Sequence, residues 1–321
     1  MPVFSGTSYL GLDRHPLFIE LVTQGLRRYG THYGGSRRST LVPSIFAEVE
    51  AAIANWTGAP AALLVSSGTA AGQLVVRYLS EQQRQLHASP LVHPALTWPG
   101  NIQHTDWATW HAASQEERNI LLTDSVNPLR VTWPSGLAQL KGGTATLVVD
   151  DSHLIGHYGP QSAGSWRQLT SQWSGPLMVT ASLGKALCIP AGIILGDEAT
   201  IGALQRMIHY GGASPPNPAF LHAWLHAGAL LKTQRQRLKS TVAQVQQLLH
   251  GRVGIRCLPE FPVIGLAQHD WTEQLAKRDL LISSFRYPGP TDQRYSRIVL
   301  SAGHTDAEVA QLLQALQQLI D

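Results

Sequence analysis

The chain has 321 residues, 44% hydrophobic and only 14% charged, with a formal net charge of +3 and a pI near 9.0. That length suits one large α/β unit or a large domain with a smaller one, and a charged fraction below the roughly 25% that is usual leaves apolar material for a large core. The mild positive charge comes without a lysine-rich block, which argues against a nucleic-acid partner, and no apolar run approaches the roughly 18 residues of a membrane span.

The opening MPVFSGTSYLGLDRHP lacks a charged region followed by an apolar one, so no secretory leader is expected and the cytoplasm is the expected compartment. IFAEVEAAIANWTG has helical spacing and stops at Gly58. AALLVSSG reads as a buried strand ending in a small-residue turn, and TAAGQLVVRYLSEQQRQL as the helix that follows. SPLVHPAL reads as a short strand with a turn, RNILLTDSV as another strand, and ATLVVDDSH as an apolar strand ending in two carboxylates. PLMVTASLGK and AGIILGD are two further strands on either side of a lysine. Continuous apolar strands alternating with helices predict a mainly parallel sheet covered on both faces. The prolines at 215, 216 and 218 mark a boundary. Beyond it come one long helix through NPAFLHAWLHAGALLKTQRQRLKSTVAQVQQLLHG, short strands in FPVIGLAQ and RIVLSAG, and the amphipathic helix TDAEVAQLLQALQQLI. The expected organisation is a large α/β domain over 31–215 and a smaller α+β domain over 216–321, with residues 1–30 associated with the smaller one.

Three groups fall at the carboxyl ends of predicted strands, where open parallel sheets bind ligands. Ser66 to Gly72 pass from strand to helix through small residues, so backbone amides and the helix dipole can meet an anion. Asp150 ends TLVVD, beside Asp151 and His153. Lys185, one of only five lysines against nineteen arginines, sits between Gly184 and Ala186. Each has an ordinary reading: a strand-end turn former, a tight βα turn, a snorkelling lysine. Together they are the parts of a pyridoxal 5'-phosphate site. Burial makes the neutral amine accessible for a Schiff base, the carboxylate keeps the pyridine nitrogen protonated, and the helix start holds the phosphate. A nucleotide loop at Gly184-Lys185 fails, because Ala186 replaces the Ser/Thr and Val179 the first glycine. The fourteen histidines are scattered without HExxH or HxH spacing, and Cys188 and Cys257 make neither a disulfide framework nor a ligand pair, so no metal is expected.

These residues lie in motifs that resemble the α-oxoamine synthases among the fold-type I pyridoxal phosphate enzymes. SYLGLDRHP is similar to the family's Asn-Tyr-Leu-Gly-Leu opening, VVDDSHLIGHYGP to its Asp-Asp/Glu-Ala-His-Gly motif, SLGKALCIPAGIILGD to its lysine motif, and YSRIVLSAGHTDAEVAQLLQAL to its C-terminal strand and helix. The resemblance implies that Lys185 forms the internal aldimine and moves the α-proton, Asp150 pairs with the pyridine nitrogen, and His153 sits near the ring's phenolic oxygen. It further implies that His93 stacks on the ring, that Gly68, Thr69 and Ser182 hold the phosphate, and that Arg297 takes the substrate carboxylate. The implied activity condenses a small amino acid with an acyl thioester, carried by acyl-CoA or acyl carrier protein, in a homodimer with shared sites. The chain also departs from the pattern. Only eight residues precede Tyr9 where the family has a longer arm, Thr7 and Ser8 replace paired asparagines, and DSVNPLRVTWP replaces a Ser-Met-Asp-Gly-Asp segment. YGGASPP has glycines where a Ser/Thr pair reaches the neighbouring phosphate, with Ser214 close by. These departures keep open a different reaction on the same scaffold, an aminotransferase, decarboxylase or aldolase, and a cofactor-binding protein without turnover.

Overall fold

Two sheets organise the chain, and the order of their strands decides which residues meet. The computed structural model describes every residue except 91, 135, 136, 138, 139, 141, 288 and 321. In chain order the strands are β1 (Val3–Phe4), β2 (Ala61–Val65), β3 (Gln85–Ala88), β4 (Ile102–Gln103), β5 (Asn119–Asp124), β6 (Thr146–Asp150), β7 (Leu177–Ser182), β8 (Gly192–Gly196), β9 (Ile255–Arg256), β10 (Val263–Leu266), β11 (Leu281–Arg286) and β12 (Arg294–Val299). The seven-stranded sheet runs β2-β8-β7-β6-β5-β3-β4. Its pairings are parallel except at β8, which is antiparallel to both β2 and β7. Every residue of β6 and of β8 is buried, as expected for strands covered on both faces. The fold is therefore an α/β one of the expected kind.

The second sheet, β1-β11-β12-β10-β9, is antiparallel apart from β1, which runs parallel to β11 with Val3 opposite Leu281. The first strand of the chain thus completes a sheet built from its last quarter. Helix α1 (Pro16–Tyr29) packs on the helix Pro218–His226, which also packs on α2 (Ile45–Thr57). Gly25 makes the first of these contacts possible, because a Cβ there would lie 2.5 Å from the Ala219 carbonyl oxygen.

Three local expectations are corrected. The helix α3 (Gly68–Ser80) stops before the RQL that extends its apparent pattern, and Gln85–Ala88 pairs instead with β5. Gln83 takes a left-handed conformation, φ 56°, in the turn between them. SPLVHPAL holds no strand among its described residues. It forms a single 3-10 turn, Pro94–Leu96, because Pro90 and Pro94 offer no ladder donor. The long helix is two, Pro218–His226 and Gly228–Leu249, separated at Ala227 (φ −89°, ψ 9°), where Gly228 supplies a residue of low helix propensity. Among the described residues no helix is long and apolar enough to cross a membrane.

Candidate active site

Strands β5, β6 and β7 are parallel, and β2 runs in the same sense through the antiparallel β8, so their carboxyl ends share one edge. Asp124 and Asp150 end β5 and β6 as register partners. Ser182 ends β7, Lys185 lies three residues later, and Ser66 follows β2.

Lys185 is half-buried in the turn that reverses β7 into β8. Leu183 N–H donates to the Ala191 carbonyl (2.9 Å), Ile189 N–H to the Leu183 carbonyl (3.0 Å) and Cys188 N–H to the Lys185 carbonyl (3.2 Å). Cys188 completes the reversal in a left-handed conformation, φ 53°. Burial lowers the lysine's pKa, the Asp150 and Asp124 carboxylates act to raise it, and the Arg297 guanidinium adds to the lowering. The amine is thus poised closer to its neutral form than a surface lysine is.

Asp150 is 8% exposed, and its Oδ1 accepts from the Ser152 N–H at 2.9 Å. Asp124, at the end of the strand RNILLTDSV, is the second carboxylate of the site. Burial foremost, then the Asp150 charge, raises its pKa well above the usual carboxylate value. Both of its oxygens accept from the His93 backbone N–H, each at 3.1 Å. Sequence reasoning had the signal: RNILLTDSV is an apolar strand ending in Asp, the same mark that singled out Asp150.

His93 Nδ1 accepts from the Ala95 N–H at 3.1 Å, which fixes the ring on its turn. Burial and the nearby Lys185 charge act to lower its pKa, against Asp150. His153 Nδ1 pairs with the Tyr9 hydroxyl at 2.7 Å, and burial followed by the Lys185 and Arg297 charges drops its pKa well below the ordinary value. Tyr9, fully buried in the SYLGL stretch, is a second partner that residue-level reasoning did not single out. Arg297 on β12 donates from Nη1 to the Pro128 carbonyl at 3.2 Å and lies 5.1 Å from the Phe285 ring, while its buried Nε meets no acceptor among the described residues.

At the start of α3, Ser67 Oγ caps the helix by accepting from the Ala70 N–H (3.1 Å), and the Ser67 carbonyl accepts from Ala71 N–H. The Gly68 and Thr69 amides precede any possible intrahelical acceptor. Gly68 packs so closely on β7 that a Cβ would lie 2.6 Å from the Ser182 Cβ. Ser152 Oγ accepts from the Ser182 N–H (2.8 Å) and Ser182 Oγ accepts from the Gly184 N–H (3.2 Å), so the Ser182 hydroxyl keeps its own proton to donate. These residues fit pyridoxal phosphate. The two amides and the hydroxyl form a cradle for a phosphate, and a half-buried amine of lowered pKa stands with two carboxylates and an imidazole beside it. Among the described residues no cluster of three or more His, Cys, Asp or Glu side chains could hold a metal ion.

Residues 135–316 match the family Aminotransferase class I and II. A putative 8-amino-7-oxononanoate synthase of Thermosynechococcus vestitus is 30% identical to the chain, covering 99% of it and 88% of the relative. The chain belongs to the α-oxoamine synthase family. An 8-amino-7-oxononanoate synthase of Nitrosococcus oceani, a second relative, is 28% identical over 99% of this chain and 91% of its own. Among solved structures, a serine palmitoyltransferase from S. paucimobilis superposes with a TM-score of 0.81 at 17% identity, over 98% of this chain and 86% of that one. The 8-amino-7-oxononanoate synthase of Francisella tularensis gives 0.75 at 19%, over 100% and 98%. At such identities the structural likeness speaks for the fold, and the fold is that of fold-type I pyridoxal phosphate enzymes.

Proposed function

We propose that the chain is a pyridoxal-phosphate-dependent transferase that condenses a small amino acid with an acyl thioester. The observation that carries this reading is the half-buried Lys185 of lowered pKa, held within the field of Asp150, Asp124 and Arg297, in a chain of this family. Pyridoxal phosphate supplies an aldehyde for an amino group and a ring that withdraws electrons from the α-carbon.

The protein's own groups do the rest. Lys185 Nζ would hold the cofactor and, once freed, would take the proton from the α-carbon of the amino acid. The Asp150 carboxylate would accept a hydrogen bond from the pyridine nitrogen and keep it protonated. His153, oriented by Tyr9 through its Nδ1, would donate toward the phenolic oxygen from its other ring nitrogen. His93, on a turn secured by Asp124, would lie against the ring face. Gly68, Thr69 and Ser182 would hold the phosphate, and Arg297 would take the substrate carboxylate. The α-carbon relieved of its proton would then attack the thioester carbonyl, the C–S bond breaking as the thiolate leaves.

The domain division proposed is a large cofactor-binding unit over 31–215 and a small one over 216–321, with residues 1–30 associated with the small one, a reading supported by the pairing of β1 with β11. A homodimer in the cytoplasm completes the reading. It is supported by an apolar cavity of about 250 Å³ beside Arg37, Trp98, Tyr210 and Ser214, together with Leu41 and Ile208, 83% and 74% exposed. Titrating glycine, alanine or serine into purified protein while recording its visible absorbance tests the site. A yellow band that shifts with amino acid is expected. Arg297→Ala should weaken that titration roughly tenfold, about 1.4 kcal/mol. A band indifferent to every amino acid would defeat the proposal.

A further inference from the structure

Strands β6 and β7 pair in parallel up to Asp150 and Thr180, and the Asp151 N–H extends that ladder by donating to the Thr180 carbonyl at 2.7 Å. The next rung of a parallel ladder would run from the Ser182 N–H to the Asp151 carbonyl. That carbonyl is already taken, because the chain turns away and the Leu154 and Ile155 N–H groups donate to it at 3.0 and 3.1 Å. A side chain supplies the missing acceptor. Ser152, only 4% exposed, accepts the Ser182 N–H on its Oγ at 2.8 Å.

The same residue holds the other end of the site. Its backbone N–H donates to Asp150 Oδ1 at 2.9 Å. Ser152 thus grips the carboxylate proposed for the pyridine nitrogen with its main chain, and the strand end proposed for the phosphate with its side chain. Ser182 in turn lies against the start of α3, so closely that a Cβ on Gly68 would come within 2.9 Å of the Ser182 nitrogen. Deprived of the Ser152 oxygen, the half-buried Ser182 N–H would have to turn toward another acceptor, because leaving it unpaired costs more than the bond returns. Such a turn would carry the Ser182 hydroxyl away from the Gly68 and Thr69 amides.

We propose that Ser152 is a positioning residue whose hydroxyl ties the phosphate end of the site to the turn that carries Asp150. This rests on Asp150 and Ser182 having the roles proposed for them. The test is equilibrium dialysis of the cofactor-free chain against pyridoxal 5'-phosphate and against pyridoxal. Pyridoxal keeps the aldehyde and the ring nitrogen but has no phosphate, so the ratio of the two dissociation constants reads the phosphate end alone. Ser152→Ala keeps the backbone N–H on Asp150, so pyridoxal should bind as it does to the wild type, while pyridoxal 5'-phosphate should bind roughly tenfold more weakly. Ser152→Thr restores the oxygen and should recover most of that loss. Should the alanine variant not fold, Ser152→Cys keeps a side chain of similar size with a weaker acceptor and should weaken the phosphate ligand selectively in the same way. Equal weakening of both ligands, or of neither, in the alanine or cysteine variant would overturn the proposal. Ser182→Ala separates that failure from a failure of the underlying reading. If it weakens pyridoxal 5'-phosphate selectively while the Ser152 variants do not, the proposal falls and the placement of Ser182 stands; if it does not, the placement falls as well.

Discussion

Lys185 illustrates how a single side chain acquires chemistry from its surroundings. Burial weakens its hold on a proton, and the Asp150 and Asp124 carboxylates keep that weakening from going further. Lys185→Ala should remove the amino-acid-responsive absorbance band and all turnover, with the band position read in the visible spectrum. Asp124 acts on the same site through the His93 N–H. Asp124→Ala deletes both acceptors and should lower cofactor affinity, at a cost of about 1 kcal/mol for the lost hydrogen bond. Asp124→Asn keeps an acceptor oxygen and should restore most of it, a rescue that equilibrium dialysis of the cofactor can measure. Asp151, buried beside the site, gives a pH signature. Burial, its largest influence, raises its pKa from 3.8 to about 7, against hydrogen bonds from Ser165 and Ser125. A raised folded-state value means the native protein binds the proton more tightly than the unfolded chain, so this contribution to stability is complete below pH 3.8 and is lost as pH rises through about 7. Thermal unfolding should show the midpoint falling across that window, and Asp151→Asn should flatten the fall. Legibility at this scale was uneven. Lys185 and Asp150 stood out because apolar strands run straight into them, whereas the Tyr9–His153 bond joins residues far apart in the chain and had no local mark.

At the scale of elements, the site depends on how tightly β2, α3 and β8 approach one another. A Cβ at Gly192 would lie 2.0 Å from the Ser67 carbonyl oxygen and 2.8 Å from the Gly68 nitrogen. Gly192→Ala should therefore displace the start of α3, lowering the unfolding midpoint by an overpacking cost of about 1–3 kcal/mol and reducing cofactor affinity together with it. An unchanged affinity would show that the α3 amides do not hold the phosphate. The strands of the large sheet were legible because their apolar runs are continuous and their ends are punctuated by Gly, Ser and Asp. β3 was not, since Gln85–Ala88 follows a helix whose apolar spacing it imitates, and only pairing with β5 decides the matter. The division at Ala227 was hidden for a similar reason. A lone glycine does not end a helix unless packing needs a corner, and here Pro218–His226 packs on α1 and α2, while Gly228–Leu249 packs on the terminal helix Asp306–Ile320.

The whole molecule joins two sheets around one site, with Arg297 of the five-stranded sheet reaching the carbonyl of Pro128 in the turn that follows β5. That contact is long-range in sequence, and the resemblance of SRIVLS to a substrate-binding strand was the only advance notice of it. The parallel sheet, by contrast, followed from alternation alone. The apolar cavity beside Trp98 and Tyr210 and the exposed Leu41 and Ile208 lead to a prediction at this scale. Light scattering should give twice the 34.9 kDa chain mass, and replacing Leu41 and Ile208 by Asp together should halve it. The most direct measurement of the central claim is release of free thiol, followed with a chromogenic disulfide, from a panel of acyl-CoAs mixed with glycine, alanine or serine. Thiol is expected only when amino acid and thioester are both present, and none from Lys185→Ala. Turnover of an amino acid with a keto acid and no thioester would contradict it.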